Sequence, residues 1–159
     1  MSQASNPLRV NVGFLINQPI GTSREFRIES PHLQIQHDLD LTDFNGVARI
    51  SRTPQGLLVQ GEFRAVVMAE CVRCLAEFLQ PSETVFNELY AFRANSVTES
   101  DLRMPENGHI DLAPLAREYF LLEVPIRPLC KPDCRGLCVV CGTDLNTSSC
   151  EHEQTIATE

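Results

Sequence analysis

Lysine is nearly absent from this chain of 159 residues: Lys131 is the only one, and the other twelve basic side chains are arginines. The formal charge is −8, which excludes a basic footprint spread over the whole surface. Any nucleic-acid contact must then be local or made through a partner. No run approaches the roughly 18 consecutive apolar residues of a membrane span. The opening residues, MSQASNPLRVNVGF, have no basic stretch followed by an apolar one. Neither a signal peptide nor a membrane segment is expected. A reducing, cytoplasmic setting follows, and disulfides are not expected there. The sequence also lacks a phosphate-binding glycine loop, a Gly-x-Ser-x-Gly elbow and a His-Glu-x-x-His pair, so no small-molecule substrate is indicated.

What is present first is an alternation. Leu8, Val10, Val12, Phe14 and Ile16 recur at every second position, as do Leu33, Ile35, His37, Leu39 and Leu41. Period two places successive side chains on opposite faces of a sheet, so both stretches are expected as strands, with His37 on an apolar face. Arg24 to Ser30 is a weaker strand. Pro54-Gln55-Gly56 is a turn triplet between Val47–Thr53 and Leu57–Glu70, which predicts a hairpin. Val59, Gly61, Phe63, Ala65 and Val67 share one face of its second arm, and Thr84 to Phe92 returns antiparallel. Residues 94–109 are polar and read as a mobile loop, with His109 in it and His32 in another. Asp111 has the character of an N-cap, followed by a helix over about 112–123 with Leu112, Leu115, Tyr119 and Leu122 on one face.

The fold class expected is therefore α+β: a β-rich antiparallel meander or barrel-like sheet, one C-terminal helix and a zinc-knuckle tail. The division expected is a core at 1–128 and a cysteine-rich tail at 129–159 packed on it. That tail has too few large apolar groups to fold by burial alone.

Seven cysteines remain: Cys71, Cys74, Cys130, Cys134, Cys138, Cys141 and Cys150. His152 follows two residues after the last. An odd number does not suit a full disulfide set. Cys71-x-x-Cys74 and Cys138-x-x-Cys141 have knuckle spacing, which lets two thiolates reach one metal while backbone amides point at the sulfurs, and Gly142 relieves the turn this needs. Zinc is the expected metal, one or two ions per chain, with a mononuclear iron site the lesser alternative. Three divisions of the ligands are open. Two closed sites divide by proximity into Cys71, Cys74, Cys130 and Cys134, which would clamp the tail to the sheet, and Cys138, Cys141, Cys150 and His152. A single ribbon would pair Cys71 and Cys74 with Cys138 and Cys141. A third division makes one site from the four cysteines of the tail alone, from Cys130 to Cys141. Arg73, Lys131 and Arg135 stand beside the ligands, where they offset thiolate charge or offer a small basic face to phosphate.

Taken together, Cys71-Val72-Arg73-Cys74-Leu75, Pro128-Leu129-Cys130, Asp133-Cys134, Gly136-Leu137-Cys138, Cys141-Gly142 and Asp144-Leu145-Asn146 resemble the YceD family. Its members are described as large ribosomal RNA subunit accumulation proteins, and as metal-binding and candidate nucleic-acid-binding proteins. The resemblance departs at Val139, where such knuckles often carry proline. It departs again at Cys150-Glu151-His152, where the family commonly has a Cys-x-Cys pair. It implies a non-enzymatic ribosome-biogenesis factor whose partner is large-subunit ribosomal RNA or a ribosomal protein. One alternative is a zinc-stabilised protein-protein adaptor without RNA contact, which the acidic charge favours. A second is a thiol oxidoreductase, which would place the first cysteine at a helix N-terminus in a βαβ setting, whereas Cys71 falls in a meander.

Overall fold

The computed structural model describes residues 6–152. They divide into two compact units. One comprises residues 6–67 and 81–123, and the other residues 68–80 and 124–152.

The first unit is built on long strands. β2 (Ser23–Ile35), β3 (Leu39–Arg52), β4 (Gly56–Glu70) and β5 (Glu77–Ala91) are hydrogen-bonded in that order, and β4 and β5 run on into the second unit. β2–β3 and β3–β4 are antiparallel. The order ends at β2 and β5 without closing, so the sheet is open and the barrel-like alternative is corrected. β1 (Arg9–Asn11) pairs with β6 (His109–Asp111) in a separate two-stranded sheet.

The hairpin at Pro54-Gln55-Gly56 forms as the turn triplet dictates, with Thr53 N–H donating to the Gly56 carbonyl at 2.9 Å. On β4 the side chains of Val59, Phe63, Ala65 and Val67 are buried. Gly61 is required there because a Cβ would lie 2.3 Å from Cζ of Phe86, whose ring covers the position. Phe44, Phe63 and Phe86 form a chain of tilted and edge-on rings with centroids 5.2 Å apart at each step.

Further expectations need correction. The alternation from Leu33 to Leu41 is not one strand. It is two, joined by a turn at residues 36–38, with Gln36 at φ 56°. Ile35 faces Leu39 and Leu33 faces Leu41 across the pair. A three-residue turn preserves the parity of the alternation, so the turn left no mark on the pattern, and His37 lies exposed at its tip. The first alternation also stops early. Asn11 Oδ1 accepts the Gly13 N–H at 3.2 Å, and the chain enters a 3₁₀ turn at Gly13–Leu15 that buries Leu15 and exposes Phe14. Finally, His32 lies in β2 and His109 in β6, not in loops. Residues 94–109 carry a 3₁₀ turn at Ala94–Ser96 and the start of β6.

The helix α1 is Ala113–Glu123, and the Asp111 carboxylate accepts the Ala113 N–H at 2.9 Å. Leu112, Leu115, Ala116 and Phe120 are buried, and Tyr119 packs at their margin. Leu122 is 72% exposed. It falls at the edge of the buried arc in the last turn, whereas Phe120, on the other side of that arc, is fully buried.

Candidate metal centre

The second unit has its own small cluster of buried groups, and they are sulfurs. Cys71, Cys74 and Cys134 are buried, with Phe78, Leu129, Cys130 and Leu137 packed around them. With so few apolar side chains, burial supplies little of the stability of this unit.

Two knuckles organise it, and they are built alike. In the first, Leu75 N–H donates to the Cys71 carbonyl and Cys71 N–H to the Ala76 carbonyl, both at 2.9 Å. In the second, Gly142 N–H donates to the Cys138 carbonyl and Cys138 N–H to the Thr143 carbonyl, both at 2.8 Å. The residue after the second cysteine is left-handed in each: Leu75 at φ 61° and Gly142 at φ 74°. Glycine takes this conformation freely, whereas a leucine Cβ is strained there by about 1–2 kcal/mol. The first knuckle therefore carries a strain that the second avoids.

The tail segments are then placed by backbone bonds. Val72 N–H reaches the Pro128 carbonyl at 3.0 Å, and Leu137 N–H the Arg73 carbonyl at 3.1 Å. Gly136, at φ 76°, lies so close to Arg73 that a Cβ would sit 3.0 Å from the Arg73 carbonyl oxygen. Arg73 in turn donates from its guanidinium to the Cys134 carbonyl at 2.8 Å. That bond engages a side chain the sequence had offered to phosphate.

All eight candidate ligands fall into two groups of four. The donor atoms of Cys71, Cys74, Cys130 and Cys134 lie within 4.8 Å of one another, and so do those of Cys138, Cys141, Cys150 and His152. This matches the division by sequence proximity and brings together neither the ribbon set nor the set drawn from the tail alone. Sγ of Cys71 is 3.7 Å from that of Cys134, and Sγ of Cys74 is 3.6 Å from that of Cys130. A disulfide needs about 2.05 Å. Four sulfurs held tetrahedrally at the ~2.3 Å zinc–sulfur distance are about 3.8 Å apart, close to what is seen. In the second group, the Nδ1 of His152 is buried without a hydrogen-bond partner among the described residues. A buried imidazole nitrogen in that condition costs free energy unless something binds it. The donor sets S₄ and S₃N are both suited to zinc.

Ionisation is uneven within each group. Burial pushes the Cys71 thiol up, but the amides of Cys130, Cys74 and Arg73 outweigh it and bring it down to about 6. Burial and the neighbouring sulfurs push Cys130 up to about 12. The Ala76 amide favours a thiolate at Cys74, yet burial and the sulfurs of Cys71 and Cys134 leave it raised. In the second group the Thr143 hydroxyl and amide, with His152, bring Cys141 down to about 6, while burial and the sulfurs of Cys138 and Cys141 raise Cys150. Each group thus sets one thiol lowered toward ionisation, Cys71 or Cys141, beside others held up, Cys74 and Cys130 in the first group and Cys150 in the second, and a nearby cation would favour the thiolate form of these.

Two residues near the sulfurs were given no part at the site from the sequence, although Asn146 lies in one of the runs that carry the family resemblance. Thr143 Oγ1 lies 3.1 Å from Cys141 Sγ, and Asn146 Nδ2 donates to Cys134 Sγ at 3.4 Å. The signal available was the run Thr-Asp-Leu-Asn directly after the second knuckle, whose Asp and Asn favour turns closed by their own side chains.

A profile described as large ribosomal RNA subunit accumulation protein YceD matches residues 59–158, a span that includes all eight candidate ligands. An uncharacterized protein of Mycobacterium tuberculosis is 34% identical over 123 residues, covering 74% of this chain and 56% of the relative. The chain thus spans about half the length of the mycobacterial relatives it matches. A Zea mays protein named large ribosomal RNA subunit accumulation protein YCED homolog 1, chloroplastic, is 42% identical over 40 residues, 25% of this chain and 14% of the relative. An uncharacterized protein of Bacillus subtilis is 28% identical over 68 residues, 42% of this chain and 40% of the relative. No solved structure matches. The profile covers more than half of the sequence, and the chain belongs to the YceD family.

Proposed function

We propose that this chain is a non-enzymatic ribosome-biogenesis factor that supports accumulation of large-subunit ribosomal RNA, with two structural zinc ions in its second unit. The observation that carries the metal is the gathering of eight donors into two closed sets of four. A closed set leaves no open position for substrate or water, which suits a structural ion and not a catalytic one. The zinc would be held by Cys71, Cys74, Cys130 and Cys134 in one site and by Cys138, Cys141, Cys150 and His152 in the other. It would supply fold stability to a unit whose own apolar core is small. The ribosomal role rests on the family description. The proposed partner is large-subunit ribosomal RNA or a ribosomal protein, met in the cytoplasm, where thiols stay reduced.

Elemental analysis tests the metal: two zinc ions per chain, with one lost in each of Cys71→Ser and Cys150→Ser. One ion in total would sink the two-site reading. Cosedimentation with pre-ribosomal particles tests the role. Loss of association on RNase treatment supports RNA contact. RNase-resistant binding to one protein supports the adaptor reading, which the charge of −8 favours. Turnover in an insulin-reduction assay by the metal-loaded chain would refute the non-enzymatic reading.

A further inference from the structure

The two groups of donors are joined by hydrogen bonds. A strap of four residues, Thr143 to Asn146, touches both. At one end the Thr143 carbonyl accepts the Cys138 N–H at 2.8 Å, and its hydroxyl lies 3.1 Å from Cys141 Sγ. Cys138 and Cys141 are donors of the second group. At the other end Asn146 Nδ2 donates to Cys134 Sγ at 3.4 Å, and Cys134 is a donor of the first.

The strap is stiff between these ends. Asp144 Oδ1 accepts both the backbone N–H and the Nδ2 of Asn146 at 2.9 Å. Asn146 Oδ1 accepts the Arg135 N–H, also at 2.9 Å, which fixes the amide plane beside the residue that follows Cys134. Leu145 N–H donates to the Gly136 carbonyl at 2.9 Å, and Leu137 and Asp144 form an antiparallel bridge. The chain from Thr143 to Asn146 has few ways to move at one end without moving at the other.

We propose that Asn146 is a positioning residue that couples the two metal groups. Closing Cys138, Cys141, Cys150 and His152 around an ion sets the Thr143–Asn146 strap, and the Asn146 amide then holds Cys134 in place for the first group. The inference rests on the two-metal reading above. Hydrogen bonds to ligating atoms orient them and tune affinity, and removing such a partner costs roughly 10–100-fold in metal binding.

The test is a cobalt(II) titration of the metal-free full-length chain under reducing conditions, followed by zinc(II) displacement. Cobalt bound by four thiolates and cobalt bound by three thiolates and an imidazole have different visible spectra, so the groups are followed separately. The unaltered chain is expected to bind two ions. Asn146→Ala is expected to weaken the four-thiolate group roughly 10–100-fold while the mixed group keeps its spectrum and affinity. Cys150→Ser disables the mixed group without touching Asn146, and it is expected to weaken the four-thiolate group by a similar factor. In the Asn146→Ala background, Cys150→Ser is expected to cause no further loss at that group, because the strap has already been cut. Coupling is overturned if the two losses multiply, if either change leaves the four-thiolate group unaltered, or if Asn146→Ala weakens both groups equally. Fewer than two ions on the unaltered chain overturns the metal reading itself, and the coupling with it.

Discussion

Gly136 and Gly142 share a conformation and differ in surroundings, so together they separate backbone strain from packing. Their φ angles are 76° and 74°. An alanine at either is strained by about 1–2 kcal/mol, the cost of a Cβ in the left-handed region. At Gly142 nothing lies within 4 Å of the added Cβ, so the cost stops there. At Gly136 the Cβ meets the Arg73 carbonyl oxygen at 3.0 Å and the Arg73 Cβ at 3.1 Å. That carbonyl already accepts the Leu137 N–H at 3.1 Å, and backing away would lengthen the bond. Overpacking of this kind adds about 1–3 kcal/mol, for a total of about 2–5 kcal/mol at Gly136 against about 1–2 kcal/mol at Gly142. The assay, made on the chain loaded with the proposed zinc, is release of that metal to a competing chelator, with thiol exposure followed by a chromogenic thiol reagent. Where metal binding and folding are one equilibrium, each 1.4 kcal/mol is tenfold in apparent affinity. Gly142→Ala is then expected to lose roughly 5- to 30-fold, and Gly136→Ala clearly more than that. Equal losses in the two variants would refute the reasoning, since only the contact with Arg73 distinguishes them.

The helix face gives a second contrast: Phe120→Ala is expected to cost about 3–5 kcal/mol by urea or thermal unfolding, as for other large aromatic truncations in a core, whereas Leu122→Ala should stay within about 0.5 kcal/mol. Acid sensitivity gives a third. The Arg117 guanidinium, with Nε 3.0 Å and 3.1 Å from the two Asp38 carboxylate oxygens, holds the Asp38 carboxyl below its ordinary value. A depressed folded value means that the pair stabilises above the ordinary carboxylate range and that this contribution is lost as pH falls through the folded value. Asp38→Asn should therefore lower stability slightly near neutral pH and flatten the acid limb of the pH–stability curve. The difference should shrink in high salt because the pair is exposed, and an unchanged acid limb would count against the pairing.

What the sequence made legible was whatever leaves a periodic or chemical trace. The β3–β4 hairpin was visible because Pro54-Gln55-Gly56 interrupts two alternating runs, and the candidate ligands were visible from the spacing of the cysteines, which left three divisions among them open. The turn at residues 36–38 was invisible because an odd-length turn leaves Ile35 and Leu39 in phase. β6 was hidden because three residues, His109–Asp111, are too few to show a period, and its partner β1 was overextended because Asn11 ends the strand by a side-chain bond that hydropathy does not record. Phe120 was missed for Leu122 because a helical stripe states which residues share a face but not how far the covering surface extends. Thr143 and Asn146 carry no ligand signature of their own; their part depends on distances to sulfurs that only the folded chain brings near.

The two groups of donors also differ in how much chain each must gather. Sγ atoms of the first come from positions 56 and 63 residues apart, whereas the second is contained in the segment 138–152. Loop-closure entropy rises by about 0.6 kcal/mol for each doubling of length, and a roughly fourfold longer loop is about 1.2 kcal/mol harder to close. The local group therefore has the advantage in a chain that is not yet folded, because it needs no contact outside its own segment. The distant group must wait until the turn after β4 has formed and the tail has come back to it. An order of assembly is thus written into the spacing of the cysteines, with the short loop first and the long return second.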